Sequence, residues 1–256
     1  MKCIKVDLPK EFKSIEIEPL YDLHIGSKKC DYRMIQERID RIKNNDNVFA
    51  ILGGDIINNS TINSVAAADV YESPLSPDAQ MEVAIKMLMP ISHKIIGIVS
   101  GNHERRDAKD GIDLTKMMAW KLNCLEKYDP ASEVLFVRFG RNELGRKVAY
   151  SILVTHGSGG GGMVGSKANK LSKTGQIVDT DVVIVGHTHQ GLTFRERSFK
   201  VNWNNSCLIP FEQVFINASA TLDYEQYAEF NGLKPQSKVC PVLIFDGYRK
   251  NIIVKS

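Results

Sequence analysis

Five short blocks of this sequence carry the residue types that hold metal ions and move protons. They are Asp22-Leu23-His24, Gly54-Asp55, Gly101-Asn102-His103-Glu104, His156, and Gly186-His187-Thr188-His189. Asp and Asn offer oxygen donors, and a neutral imidazole offers a nitrogen. Asp22, His24, Asp55, Asn102, His156, His187 and His189 together make an oxygen-and-imidazole set with no thiolate. Such a set suits first-row divalent ions, Mn first, with Fe, Zn and Ni as alternatives. Seven donors are too many for one tetrahedral ion. They suit two ions sharing a bridging carboxylate, at the ~3.5–4 Å spacing of two-metal sites for phosphoryl transfer. His103 is left over, with a proton that moves near neutral pH.

These blocks stand where apolar runs end. The runs 14–21, 48–52, 95–99, 148–155 and 181–185 read as strands. Val48-Phe49-Ala50-Ile51-Leu52 is continuously apolar, as expected of a strand covered on both faces. Open α/β sheets bind ligands outside the carboxyl ends of their strands, which is where such blocks would meet. Asp22 and His24, two apart, would share a direction if the chain stayed extended there. Helices are expected from about Tyr32 to Lys43 with Asp31 as cap, from Ser76 with Pro77 in the first turn, over 113–122, and in part of 167–176. Further strands are expected at 2–7 and 134–139. Shorter β runs follow at 192–195, 200–203, 211–218, 239–245 and 252–254. The expected fold class is α/β, with two packed mixed β-sheets flanked by helices and a dinuclear metal site at strand ends. With no repeat or low-complexity linker, residues 1–256 are expected to form a single domain.

Composition bounds the rest. The net charge of +3 is too mild to argue for nucleic acid by itself. Five widely spaced cysteines with no Cys-x-x-Cys pair speak against a disulfide framework and for a reducing, cytoplasmic setting. The N-terminal residues lack the apolar core of a signal peptide, and no run approaches the ~20 apolar residues of a membrane span. Oligomeric state is not legible.

The five blocks, in this order across residues 22–189, resemble the calcineurin-like metallophosphoesterase superfamily. The resemblance implies a four-layer sandwich with two divalent ions. Asp22, His24, Asp55 and His189 would hold one ion, and Asp55, Asn102, His156 and His187 the other. It also implies attack on phosphorus by a metal-held hydroxide, with His103 as proton donor. The protein phosphatases of that superfamily carry Asp-Arg three and four residues after the bridging Asp, and an Arg before the Gly-Asn-His-Glu block. Here those places hold Asn58, Asn59 and Ser100. A phosphodiester, in a nucleic acid or a nucleotide, is therefore the expected substrate, with Asn58 and Arg105 as expected substrate contacts. The alternatives are a phosphomonoesterase of the same fold and an inactive metal- or nucleotide-binding module.

Other features carry less. Gly157-x-Gly159-x-x-Gly162 formally matches a dinucleotide fingerprint, but that pattern is cheap in a run of glycines and leaves the histidines unexplained. A loop closing over substrate fits better. Lys167, Lys170 and Lys173 beyond it could guide a polyanion or simply form a solvated helix face. Glu104 is expected to orient backbone, His93 to be structural, and Trp203, Phe211, Tyr224, Tyr227 and Phe230 to pack in the core.

Overall fold

A computed structural model describes residues 1–61, 73–159, 161–224, 232 and 234–255. Tyr227, Phe230 and most of the 58–76 segment lie outside the described residues. The strands are β1 (Lys2–Asp7), β2 (Ser14–Leu20), β3 (Val48–Leu52), β4 (Ile95–Val99), β5 (Tyr128–Asp129), β6 (Ser132–Phe139), β7 (Val148–Thr155), β8 (Val182–Val185), β9 (Leu192–Asn202), β10 (Cys207–Asn217), β11 (Val242–Asp246) and β12 (Ile252–Lys255). Among the described residues the α-helices are α1 (Tyr32–Asn44), α2 (Pro77–Leu88), α3 (Leu114–Lys121) and α4 (Val164–Gly175).

Two six-stranded mixed sheets result, one ordered β1-β6-β7-β8-β10-β9 and the other β12-β11-β2-β3-β4-β5. Inward side chains of both, among them Ile15, Ile17, Ile51, Leu135, Val137, Ile184 and Phe245, make a shared core. The outer face of the second sheet packs Leu52, Ile95 and Ile98 against Ile35 and Ile39 of α1, Leu88 of α2 and Met118 of α3. The outer face of the first packs Val183 and Phe215 against Leu171 of α4. The layers run helix, sheet, sheet, helix. β3 and β8 are buried throughout because each is an inner strand of its sheet with covered faces.

Local chemistry sets the elements. The Asp31 carboxylate accepts from Met34 N–H at 3.0 Å and starts α1; Asp113 does the same for Lys116 at 2.8 Å in α3. Ser76 occupies the cap position of α2, but its hydroxyl bonds the Asp78 carboxylate instead of a helix N–H. The runs 192–195 and 200–203 join into one strand of a long hairpin with β10. Within β10 only Val214–Asn217 pair with β8, so the outer part of that hairpin projects past the sheet. Trp203, at its turn, is consequently 86% exposed and not a core residue. His93 is exposed on a 3-10 turn before β4. Among the described residues no helix is long and apolar enough to cross a membrane. Glu133 is the anomaly of the core. It is fully buried on β6, faces Gly97 of β4, and neither of its oxygens has a hydrogen-bond partner.

Candidate metal centre

The chain turns sharply after β2, β3 and β8, and the turns carry the site. Asp22, His24, Asp55, His187 and His189 all have positive φ, between 48° and 66°. Non-glycine residues avoid this region, and its recurrence at five chemistry-bearing positions marks strain held by surrounding contacts. Asp22 and His24 therefore do not share a direction through strand pleating, as extended geometry would have it. They meet because β2 has already ended and both residues turn left-handed.

Two glycines let the loops touch. Gly54, at φ 88°, lies where a Cβ would meet the backbone of Gly101 at 2.3 Å, and a Cβ on Gly101 would strike the Asp55 backbone at 2.2 Å. Glu104, buried at the start of a 3-10 turn, locks this contact. Its carboxylate accepts from the backbone N–H groups of Gly101 at 3.0 Å, Asp55 at 2.9 Å, Ile56 at 2.6 Å and Ile57 at 3.1 Å. Asp22 Oδ2 accepts from His187 N–H at 2.9 Å, and Asp55 Oδ1 from His103 N–H at 2.8 Å. The strand-end loops of both sheets are thereby joined.

The side chains then fall into two neighbouring groups. In one, His24 Nε2 lies 3.2 Å and Asp22 Oδ1 3.5 Å from His189 Nε2. In the other, Asp55 Oδ2 lies 3.2 Å from His156 Nε2, and Asn102 Oδ1 lies 3.0 Å from His156 Nε2 and 2.7 Å from His187 Nδ1. Asp22, His24 and His189 present donor atoms close enough to hold one ion, as do Asp55, His156 and His187; Asp55 also forms such a group with His24 and His103. His187 and His189 go to different groups although only one residue separates them.

The donor set fits divalent cations. Asp22 Oδ1 and His24 Nδ1 are buried without a hydrogen-bond partner. Such orphans are costly unless a ligand satisfies them. Burial, with the repulsion of Asp55 behind it, pushes the Asp22 carboxyl up to about 7. Burial also pushes His24, His187 and His189 down, which keeps their nitrogen lone pairs free to coordinate. Against burial, the hydrogen bond and charge of His156 hold Asp55 well below the usual carboxylate range. His156, opposed by burial, is raised to about 9 by that same Asp55 contact. His156 Nδ1 donates to the Gly53 carbonyl at 2.8 Å, which aims Nε2 at Asp55 and Asn102.

His103 stands beside both groups, with Nε2 3.8 Å from Asp55 Oδ2. Its partner is the Asn58 backbone carbonyl, which accepts from Nδ1 at 2.5 Å. Arg106 reaches the same carbonyl at 2.9 Å, the Asn59 carbonyl at 2.8 Å and His103 Nε2 at 3.0 Å. Nδ1 then carries the proton and Nε2 accepts from the guanidinium, so this is the neutral imidazole. Burial, then the Arg106 charge, lower His103, while Asp55 pulls it up. Asn59 Nδ2 ties the turn together through the His103 carbonyl and Asp107, both at 2.8 Å. Sequence reading had no signal for the Asn58 carbonyl, since every residue has one. The two expected substrate contacts part company here. Arg105 is exposed beside the site, whereas Asn58 is buried with its amide donating to Ser60 Oγ at 2.9 Å.

The fold and site define a two-sheet α/β protein with clustered Asp and His side chains able to hold metal. The chain belongs to the calcineurin-like phosphoesterase family, whose family model matches residues 22–191. No curated protein matches it. Among solved structures, it is similar to a conserved protein from Streptococcus pneumoniae TIGR4 described as a predicted phosphoesterase. The identity there is 17% and the TM-score 0.38, covering 94% of this chain and 88% of that one. It is also similar to vacuolar protein sorting 29 from Cryptosporidium parvum, at 15% identity and TM-score 0.42 over 94% and 97% of the two chains. Vps29 from Entamoeba histolytica, complexed with zinc, gives 11% identity and TM-score 0.41 over 94% and 90%.

Proposed function

We propose that this chain is a cytoplasmic hydrolase of phosphodiesters, nucleic acid or nucleotide, acting as a single domain with two divalent ions, Mn foremost. The observation that carries the reading is that Asp55 presents an oxygen close to His156 and His187 of one group, to His24 of the other, and to His103. In this reading Asp22, His24 and His189 hold one ion, Asn102, His156 and His187 the other, and Asp55 serves both. Bound ions would supply Lewis-acid charge to the phosphoryl oxygens and acidify water.

The remaining work belongs to the chain. The Asn58 carbonyl fixes His103 with Nε2 toward the site, and a proton on Nε2 would go to the leaving oxygen. Taking up that proton ends the acceptor contact with Arg106, so protonation of His103 and placement of the guanidinium are coupled. Asn58 acts through His103 in this account, and Arg105 offers its guanidinium to a phosphate oxygen. The five free cysteines fit the reducing compartment.

The test is hydrolysis of bis(p-nitrophenyl) phosphate and p-nitrophenyl phosphate with added Mn, followed by oligonucleotides and cyclic nucleotides. Faster turnover of the diester, lost in His103→Ala with metal still bound, is the expected outcome. Preference for the monoester would move the chain to the phosphomonoesterases. Equal inertness of wild type and variant, both metal-loaded, would leave a binding module.

A further inference from the structure

A cavity of about 520 Å³ opens beside His156, between the loop that starts at Gly157 and helix α4. Arg105, Lys167, Lys170 and Lys173 line it, and no Asp or Glu does. Lys167 is the telling residue. It is only 9% exposed, and its ammonium donates to the Thr188 carbonyl at 3.2 Å. Among the described residues no carboxylate stands within ion-pair distance of it. An ammonium has three protons to place, and beyond the Thr188 carbonyl those of this part-buried group face the cavity that Lys167 lines. Thr188 lies between His187 and His189, so this uncompensated charge sits against the candidate metal centre. Arg105 and Lys170 extend the same field, since both of their charges reach His187. Leu153, Leu171 and Val185 give the cavity apolar lining as well. Its size lies within the ~300–1,000 Å³ of small-molecule sites.

We propose that this cavity is a subsite for a second phosphate of the substrate, one nucleoside away from the scissile ester, anchored by Lys167. The proposal rests on the phosphoesterase reading above and narrows it to substrates carrying more than one phosphate. The apolar lining takes the sugar or base between the two phosphates.

Thymidine 5′-(p-nitrophenyl phosphate), with and without a 3′-phosphate, isolates the effect because both release the same leaving group. For wild type, the added phosphate is expected to lower KM by about tenfold, as one charge-assisted contact would, with kcat little changed. Lys167→Met should bring the ratio of the two KM values toward one, while Lys167→Arg should keep most of it. Lys173→Glu, on the exposed rim, should reduce the ratio without touching the fold. A wild-type ratio of one, or the same ratio in wild type and Lys167→Met, overturns the subsite; so does failure of Lys167→Arg to rescue, which would make Lys167 only a tether for the Thr188 loop.

Calorimetry on metal-free protein separates the two claims. If no ester is turned over, the phosphoesterase reading falls. Heat from thymidine 3′,5′-bisphosphate that exceeds that from the 5′-phosphate, and is lost in Lys167→Met, would still establish the subsite. Identical heats would refute it. Competition by oligothymidylate lacking terminal phosphates would assign the second phosphate to a polymer; competition by the bisphosphate alone would assign it to a nucleotide end.

Discussion

Replacing Glu133 with Gln should stabilise the protein in a pH-dependent way. Burial, with the nearby charge of Asp129, raises this carboxyl from 4.5 to about 9, against the Lys2 charge and the Ile98 N–H, which favour the ionised form. Oε1 faces Gly97 of the other sheet, and neither oxygen makes a well-formed hydrogen bond. The folded state therefore binds a proton that the unfolded state releases above its ordinary carboxyl range. Stability from this group is complete below pH 4.5 and falls as pH rises toward 9, because the native state holds more protons. The slope is about 1.4 kcal/mol per pH unit, so at pH 7 the group costs about 3 kcal/mol relative to pH 4. Gln has nearly the same shape and cannot ionise. Urea unfolding of wild type and Glu133→Gln at pH 5, 6.5 and 8 should give stability curves that diverge. The variant should gain about 1.4 kcal/mol on wild type for each unit of pH. Parallel curves would refute the reasoning, since they would mean that Glu133 is not a proton-holding acid in the folded state.

Glu104→Ala leaves four buried N–H groups without their acceptor and should cost at least ~3 kcal/mol by urea unfolding. Because it holds the Asp55 and His103 loops together, calorimetric Mn affinity should fall as well. Arg106→Gln removes a charge that lowers His103, so the alkaline limb of the kcat/KM profile should move to higher pH. No movement, or movement to lower pH, would separate His103 from proton donation. Mn at 100 times its Kd should raise apparent stability by about 2.7 kcal/mol, and Asp55→Asn should reduce the bound stoichiometry in equilibrium dialysis. Leu171→Ala on α4 should cost about 2–4 kcal/mol by thermal unfolding, because Leu171 is buried against Val183 and Phe215.

The sequence by itself determined the strands that end in chemistry, and with them the two-sheet α/β class. Apolar runs of strand length bounded by Asp, Gly and His are local facts, and they placed β3, β4, β7 and β8 almost to the residue. The identity of the donors was equally local, since an oxygen-and-imidazole set is a matter of residue type. It failed wherever the deciding partner was distant or was backbone. Strand pleating suggested why Asp22 and His24 would point together, but the positive φ at both comes from loops of two sheets being pinned to one another. Short β runs after Gln190 could not reveal one long hairpin, because hairpin length depends on how far β10 outlasts β8. Nothing in the sequence marked the Asn58 carbonyl as the partner of His103, nor Glu133 as a buried acid facing a glycine on the other sheet. Lys167 read as either a guide for a polyanion or part of a solvated helix face, and only the packing of α4 on β8 turned it inward. Which side chains carry charge is written in the chain; whether that charge meets water, an acceptor or nothing is decided only when the layers close over it.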